Sequence, residues 1–342
     1  MGYDASRRRT FSRSKGHNLS QWSTVLITLA VSVFCWAFAY NYSVGFPPKT
    51  QNGATPLWIY LCSLPGNKYY SYIVGAFILV CNSLLLQRFN YHTVIIRQST
   101  KLPFLMFVLL CSANLVFIPF TASSVALLLF IPAVFQIFKS EQSITTGDAF
   151  NAAFYIGLGS LLWAPLLLYI PFFWYGMYKF KMLNVKSFAA TLVGLLTILL
   201  FVLAWCVWKH DLAALSVPAA TLTTLSTSPF SEMGSDSQFI NLISIFAMMI
   251  VAFIYTRFQE YESSLRTSQT LSYLLQFAIF TFALIFLYGK RHFGDFLYFF
   301  YMPAAMIFAY LFSDRRGMFA FLVYYLFVAF IFMLAFRQIW LM

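Results

Sequence analysis

Residues 187–208 read SFAATLVGLLTILLFVLAWCVW, without one Asp, Glu, Lys, Arg or His. A helix needs about 20 such residues to cross the ~30 Å hydrocarbon core of a bilayer. Runs of the same kind recur at 22–40, 69–87, 103–120, 123–138, 238–256, 270–289, 296–312 and 318–336. The pattern predicts an all-α, polytopic transmembrane bundle with about nine full spans. A transmembrane barrel is excluded, because its mark is short alternating segments and not continuous apolar runs.

The charges agree with this reading. The ten acids are Asp4, Glu141, Asp148, Asp211, Glu232, Asp236, Glu260, Glu262, Asp295 and Asp314. Each falls in a tail, a predicted loop or the edge of an apolar run. Charged side chains inside a bilayer are costly and mark ion pathways and proton relays, and here none lies mid-span. Hydrophobic residues make up 61% of the chain and charged ones 9%, a balance that a water-soluble core cannot hide.

One stretch resists a simple span. Residues 150–180 are too long for one crossing and short for two, and Pro165 and Pro171 interrupt them after Gly157 and Gly159. Proline lacks the backbone donor and ends or kinks a helix, so two short helices forming a hairpin are expected, meeting near Trp163–Pro165. Charge bias supports the hairpin. With it, one side of the membrane holds Arg7, Arg8, Arg9, Arg13, Lys15, Arg88, Arg97, Lys101, Lys139, Lys179, Lys181, Lys186, Arg257, Arg266, Arg315 and Arg316, which is 16 bases. The other side holds Lys49, Lys68, Lys209, Lys290, Arg291 and Arg337, which is 6. With a single crossing the split falls to 13 against 9. The positive-inside rule therefore places the N-terminus in the cytoplasm and the C-terminus outside.

The organisation that follows is a basic tail at 1–21 and one transmembrane domain at 22–342. Two external segments, 42–68 and 209–237, are long enough to form structure. Within the first, Leu57-Trp58-Ile59-Tyr60-Leu61 predicts a short helix lying on the outer leaflet. The run from Trp22 to about Tyr40 has no small-residue cleavage site after it and reads as a retained span, not a signal peptide.

Several function classes drop out. The five cysteines, Cys35, Cys62, Cys81, Cys111 and Cys206, have no C-x-x-C spacing, and apolar neighbours make them small hydrophobes. No metal and no cofactor is expected. Walker, dinucleotide, H-E-x-x-H and G-x-S-x-G patterns are all missing. The net charge of +12 is spread over loops, where anionic headgroups are the nearer partner and nucleic acid is not expected.

The candidate site is Lys290-Arg291-His292-Phe293-Gly294-Asp295. Its bases fall on the side where positive charge is disfavoured. Lys290 and Arg291 are suited to grip a lipid phosphate, and His292 with Asp295 to move a proton. The bland alternative is a headgroup anchor. Lys209-His210-Asp211 is a weaker pairing beside the belt tryptophans Trp205 and Trp208. Asp148 reads as a helix N-cap. Ser112 and Asn114 sit mid-span, either lining a polar path or hydrogen-bonding between helices; Asn82 and Gln136 allow the same two readings.

Three stretches carry a resemblance. They are 147–161 (GDAFNAAFYIGLGSL), the loop from Arg97 to Pro103, and Arg291-His292-Phe293 leading to Met302-Pro303-Ala304. Together they resemble an uncharacterised polytopic family of Gram-negative inner membranes, a domain of unknown function of similar length. The resemblance implies an inner-membrane location and supplies no activity; with that location, the outside reached by the C-terminus through the charge split is the periplasm.

Three functions stay open. The first is cell-envelope biogenesis on a polyprenyl-linked glycan, with a polyprenyl-phosphate lipid as partner. Residues 42–68 hold no Asp or Glu, which counts against transferases using a carboxylate in their first external loop. The second is a non-catalytic subunit that scaffolds membrane protein partners. The third is a transporter or flippase of a lipidic substrate, for which the 150–180 hairpin is the place to look. Whether the chain is an enzyme is left open.

Overall fold

A computed structural model describes residues 22–42, 46, 55–63, 66–93, 95–96, 100–139, 146–208, 210, 222, 237–259, 265–289, 292–313 and 318–340. Those residues form twelve α-helices and no strand. They are α1 (Trp22–Asn41), α2 (Pro56–Ser63), α3 (Lys68–Thr93), α4 (Leu102–Ser112), α5 (Ala122–Lys139) and α6 (Thr146–Ser160). Then follow α7 (Ile170–Lys179), α8 (Val185–Trp208), α9 (Ser237–Gln259), α10 (Leu265–Tyr288), α11 (Phe293–Ser313) and α12 (Met318–Trp340). Seven of them, α1, α3, α8, α9, α10, α11 and α12, are long and apolar enough to cross a membrane. This is the make-up of a multi-pass membrane protein.

The span expected at 103–120 is not one helix. α4 stops after 11 residues, about 16 Å of rise. Asn114 then turns extended, at φ −123° and ψ 104°, before a single 3-10 turn at Leu115–Phe117. The chain reverses into α5, and α4 and α5 make a hairpin of shorter apolar helices. The 150–180 stretch also bends. α6 ends at Ser160, Trp163 is extended at φ −141°, and a 3-10 turn at Ala164–Tyr169 leads into α7. Pro165 occupies the start of that turn, where its missing N–H costs no helical hydrogen bond.

Helices α4 and α11 form the centre. α11 is buried on all sides along most of its length, as a helix apolar all round must be. α10, α9 and α5 pack on it, and α1, α3 and α12 surround α4. α8 meets Trp174 of α7, which lies 4.8 Å from the Phe188 ring and donates to Thr191 Oγ1 at 3.0 Å, and packs on α6. There Gly194 lets the backbones close in, since a Cβ would stand 2.7 Å from the Phe150 carbonyl oxygen.

Both hairpin bends lie at one end of the bundle. At this apex end Phe120 N–H donates to the Ser71 carbonyl at 3.2 Å, tying the α4–α5 bend to the start of α3. Helix α2 bears on both bends. Its Trp58 is buried against Phe120, with ring centroids 4.9 Å apart. Thr55, just before α2, donates its hydroxyl to the Leu161 carbonyl. The expected short helix is thus present, anchored into the protein by its one indole, which faces inward.

Candidate functional site

The break after α4 creates a problem that the sequence solves with side chains. Backbone groups inside a bilayer have no water to satisfy them. The Ala113 carbonyl accepts from Asn241 Nδ2 at 3.3 Å, and the Leu115 N–H donates to Gln338 Oε1 at 3.2 Å. The Phe117 carbonyl accepts from the Tyr298 hydroxyl. Asn114 joins the same network, donating to Tyr301 Oη at 2.7 Å and accepting from Gln338 Nε2. Arg337 donates to Asn241 Oδ1 at 3.0 Å. Ser112 accepts from Trp36 Nε1 at 3.0 Å and donates to the Val108 carbonyl at 2.8 Å.

Ser112 and Asn114 are therefore part of the network around the break. They hydrogen-bond between helices there. Sequence reading missed their partners Asn241, Tyr298, Tyr301 and Gln338. Each is a single polar residue near the end of an apolar run, indistinguishable there from an interfacial residue. Arg337, counted as a base exposed on the outer face, is half-buried against Asn241. Asn82 Nδ2 likewise donates to the Ser124 carbonyl at 2.8 Å, an interhelical use. Gln136 is half-buried, and its Oε1 has no hydrogen-bond partner.

His292 differs. It stands immediately before α11 and is only 2% exposed. Its carbonyl accepts from Asp295 N–H at 3.1 Å and from Phe296 N–H at 3.2 Å, which starts the helix. Among the described residues neither ring nitrogen has a hydrogen-bond partner. Such a buried polar side chain costs stability unless something else satisfies it. Asp295 lies in the first turn of α11 and is 7% exposed, with Oδ2 3.8 Å from His292 Nδ1. An acid at this position also offsets the positive end of the helix dipole. That explains Asp295 on its own and leaves His292 unexplained.

The surroundings are aromatic. Tyr288 meets the imidazole edge-on at 5.9 Å and packs on Phe296 at 5.4 Å. Trp163, from the bend after α6, packs edge-on against Phe296 at 4.9 Å, and its Nε1 is buried without a partner. Two unsatisfied buried groups, an imidazole and an indole N–H, thus flank Phe296. Gly294 leaves α11 close to the α4–α5 bend, where a Cβ would lie 3.7 Å from the Phe117 ring.

Of the sequence candidates, His292 and Asp295 are brought together. Lys290 and Arg291 lie outside the described residues, as do Lys209 and Asp211; His210 is exposed, in a left-handed turn at φ 54°. Asp148 sits inside the first turn of α6 and not ahead of it, so it meets the helix dipole as a charge and is not the N-cap. Among the described residues no cluster of three or more His, Cys, Asp or Glu is placed to hold a metal. No protein-family description, no curated protein and no solved structure matches the chain.

Proposed function

We propose that this chain acts in cell-envelope biogenesis at the outer face of a bacterial inner membrane. Its substrate in this reading is a polyprenyl-linked glycan, and His292 with Asp295 is the proton-transfer pair. The observation that carries the reading is the buried imidazole with both nitrogens unsatisfied beside a carboxylate. The side chains that meet the broken backbone after α4, by contrast, are occupied with it. Lys290 and Arg291, next in sequence, supply the phosphate-gripping chemistry in this proposal. Positioned acid–base groups contribute roughly 10²- to 10⁴-fold in rate. His292→Ala and Asp295→Asn are therefore expected to abolish the envelope-glycan product at unchanged protein level. Arg291→Ala is expected to weaken recovery of co-purifying polyprenyl-phosphate lipid. Wild-type glycan from all three variants would sink the proposal.

A second reading, a non-catalytic subunit, is favoured by α8. Among the described residues that helix packs on α6 and meets Trp174 of α7 near its start, and it leaves a long apolar face, including Leu196 and Leu200, outside the bundle. Stoichiometric membrane proteins co-purifying with the chain, and lost on substituting Leu196 and Leu200 together, would support it. The transport reading gains nothing comparable, because the polar groups between these helices are occupied with broken backbone.

A further inference from the structure

We infer that a groove between α1 and α3 binds a hydrocarbon chain of an anionic lipid, with the lipid's charged head held near Lys68. The groove lies at the apex end, has a volume of about 230 Å³ and opens outward. Trp36 and Tyr40 of α1 and Tyr69, Tyr72 and Ala76 of α3 line it, and Ile118 of the α4–α5 bend closes its inner side.

The lining chooses the ligand. The polar atoms of its two most inward aromatics are already used: Trp36 Nε1 donates to Ser112 at 3.0 Å and the Tyr72 hydroxyl to the Ala39 carbonyl at 3.2 Å. What these two rings offer the groove is hydrocarbon. A volume below the ~300–1,000 Å³ of typical small-molecule sites suits a chain and not a sugar. In a bilayer the medium beside such an opening is lipid tail, and tyrosine and tryptophan collect at the level of the headgroups. The mouth adds a fixed charge: Lys68 Nζ stands 4.5 Å from the centre of the Tyr40 ring. An aromatic face beneath an ammonium holds it in place, which fixes where an anionic head is met.

The groove is also one residue from the centre of the protein. Ile118 faces it, while neighbouring Phe117 packs on Tyr298 of α11 at 4.6 Å. The site is independent of any role for His292.

Photo-crosslinking tests this directly. The full chain is placed in nanodiscs with a phosphatidylglycerol that carries a diazirine in mid-chain, and labelled peptides are mapped. Labelling at Trp36, Tyr69 and Tyr72 is expected to be saturable and competed by unlabelled phosphatidylglycerol. Labelling of the exposed α8 positions Leu196 and Leu200 is expected to rise in proportion to probe. Ala76→Trp, which fills the groove, is expected to cut groove labelling about tenfold and leave α8 labelling unchanged. Lys68→Gln is expected to keep the labelling and remove the preference for phosphatidylglycerol over phosphatidylcholine. Non-saturable groove labelling matching that of α8 would mean boundary lipid only and overturn the inference. An unchanged headgroup preference in Lys68→Gln would overturn the assignment of the head. Both readouts on the wild-type chain stand even where Ala76→Trp fails to fold.

Discussion

Gly75 is where one added methyl group tests the architecture of the apex end. A Cβ at this position would stand 2.0 Å from the Ile118 carbonyl oxygen, 2.7 Å from the Pro119 carbonyl carbon and 2.8 Å from the Phe120 nitrogen. All three are backbone atoms, so no side chain can swing away. Ordinary contact begins at 3.4 Å, and 3.4 less 2.0 requires the bend to retreat by about 1.4 Å. Such a retreat strains the Phe120 N–H to Ser71 carbonyl bond and pulls Phe120 from Trp58. Overpacking of this kind costs roughly 1–3 kcal/mol, and the lost hydrogen bond adds about 0.5–1.5 kcal/mol. Gly75→Ala is therefore expected to be destabilised by about 1.5–4.5 kcal/mol, summing the two. The control is Gly66→Ala, since nothing lies within 4 Å of a Cβ there. The assay is heating in detergent followed by gel filtration, reading the temperature at which half the monodisperse peak is lost. Gly75→Ala should fall well below wild type while Gly66→Ala matches it. Equal behaviour of the two variants would refute the packing of the α4–α5 bend on α3.

Two further outcomes follow from named contacts. Gln338→Leu leaves the Leu115 N–H and Asn114 Oδ1 without their partner, at about 1–3 kcal/mol for a buried group so stranded. Tyr301→Phe removes one interhelical bond worth about 0.6 kcal/mol in a membrane. The same heating assay should rank Gln338→Leu far below Tyr301→Phe; the reverse order would contradict the backbone-satisfying role of Gln338. For topology, Val185 is exposed at the start of α8 and Ser63 at the end of α2. An impermeant thiol reagent added from outside should label Ser63→Cys and spare Val185→Cys, and external labelling of Val185→Cys would sink the orientation drawn from the charge split.

The long spans were legible because their signal is additive: some 20 uncharged residues must all agree before a run qualifies. The 150–180 bend was legible for a different reason, since Pro165 removes a donor at a fixed place. The α4 break carried no such mark. Residues 103–120 are uniformly apolar apart from Ser112 and Asn114, and Pro119 lies beyond the break. What ends α4 is tertiary: Asn241, Gln338 and Tyr298 receive the freed backbone from three other helices. Sequence order keeps those residues 128 or more positions from the backbone groups they receive, since the nearest is Asn241 at 241 less 113. Pairing them therefore requires the fold first. The candidate site divides the same way. The His292–Asp295 spacing of three could be read from the sequence, because it spans a single turn at the start of one helix, His292 just before it and Asp295 within it. That Trp163, from a distant bend, shares the same aromatic surroundings could not.

The division between satisfied and unsatisfied polar groups is what gives the candidate site its weight. A membrane interior removes water as the universal partner, so each polar side chain must be accounted for by the protein. Around the α4 break, side chains from five helices are hydrogen-bonded to one another and to the bent chain. An apolar substitution within that set is expected to harm folding. The His292 ring lies at the same end of the bundle, packed as tightly, and has no such match. If it served only to begin α11, its carbonyl alone would suffice, and any residue with an oxygen-bearing side chain would cap the helix better. His292→Asn supplies such a cap and removes the imidazole. A purely structural residue predicts equal or higher heat stability together with intact function. The proposed proton-transfer role predicts equal or higher stability together with lost function, and only the second combination is compatible with His292 acting on a substrate.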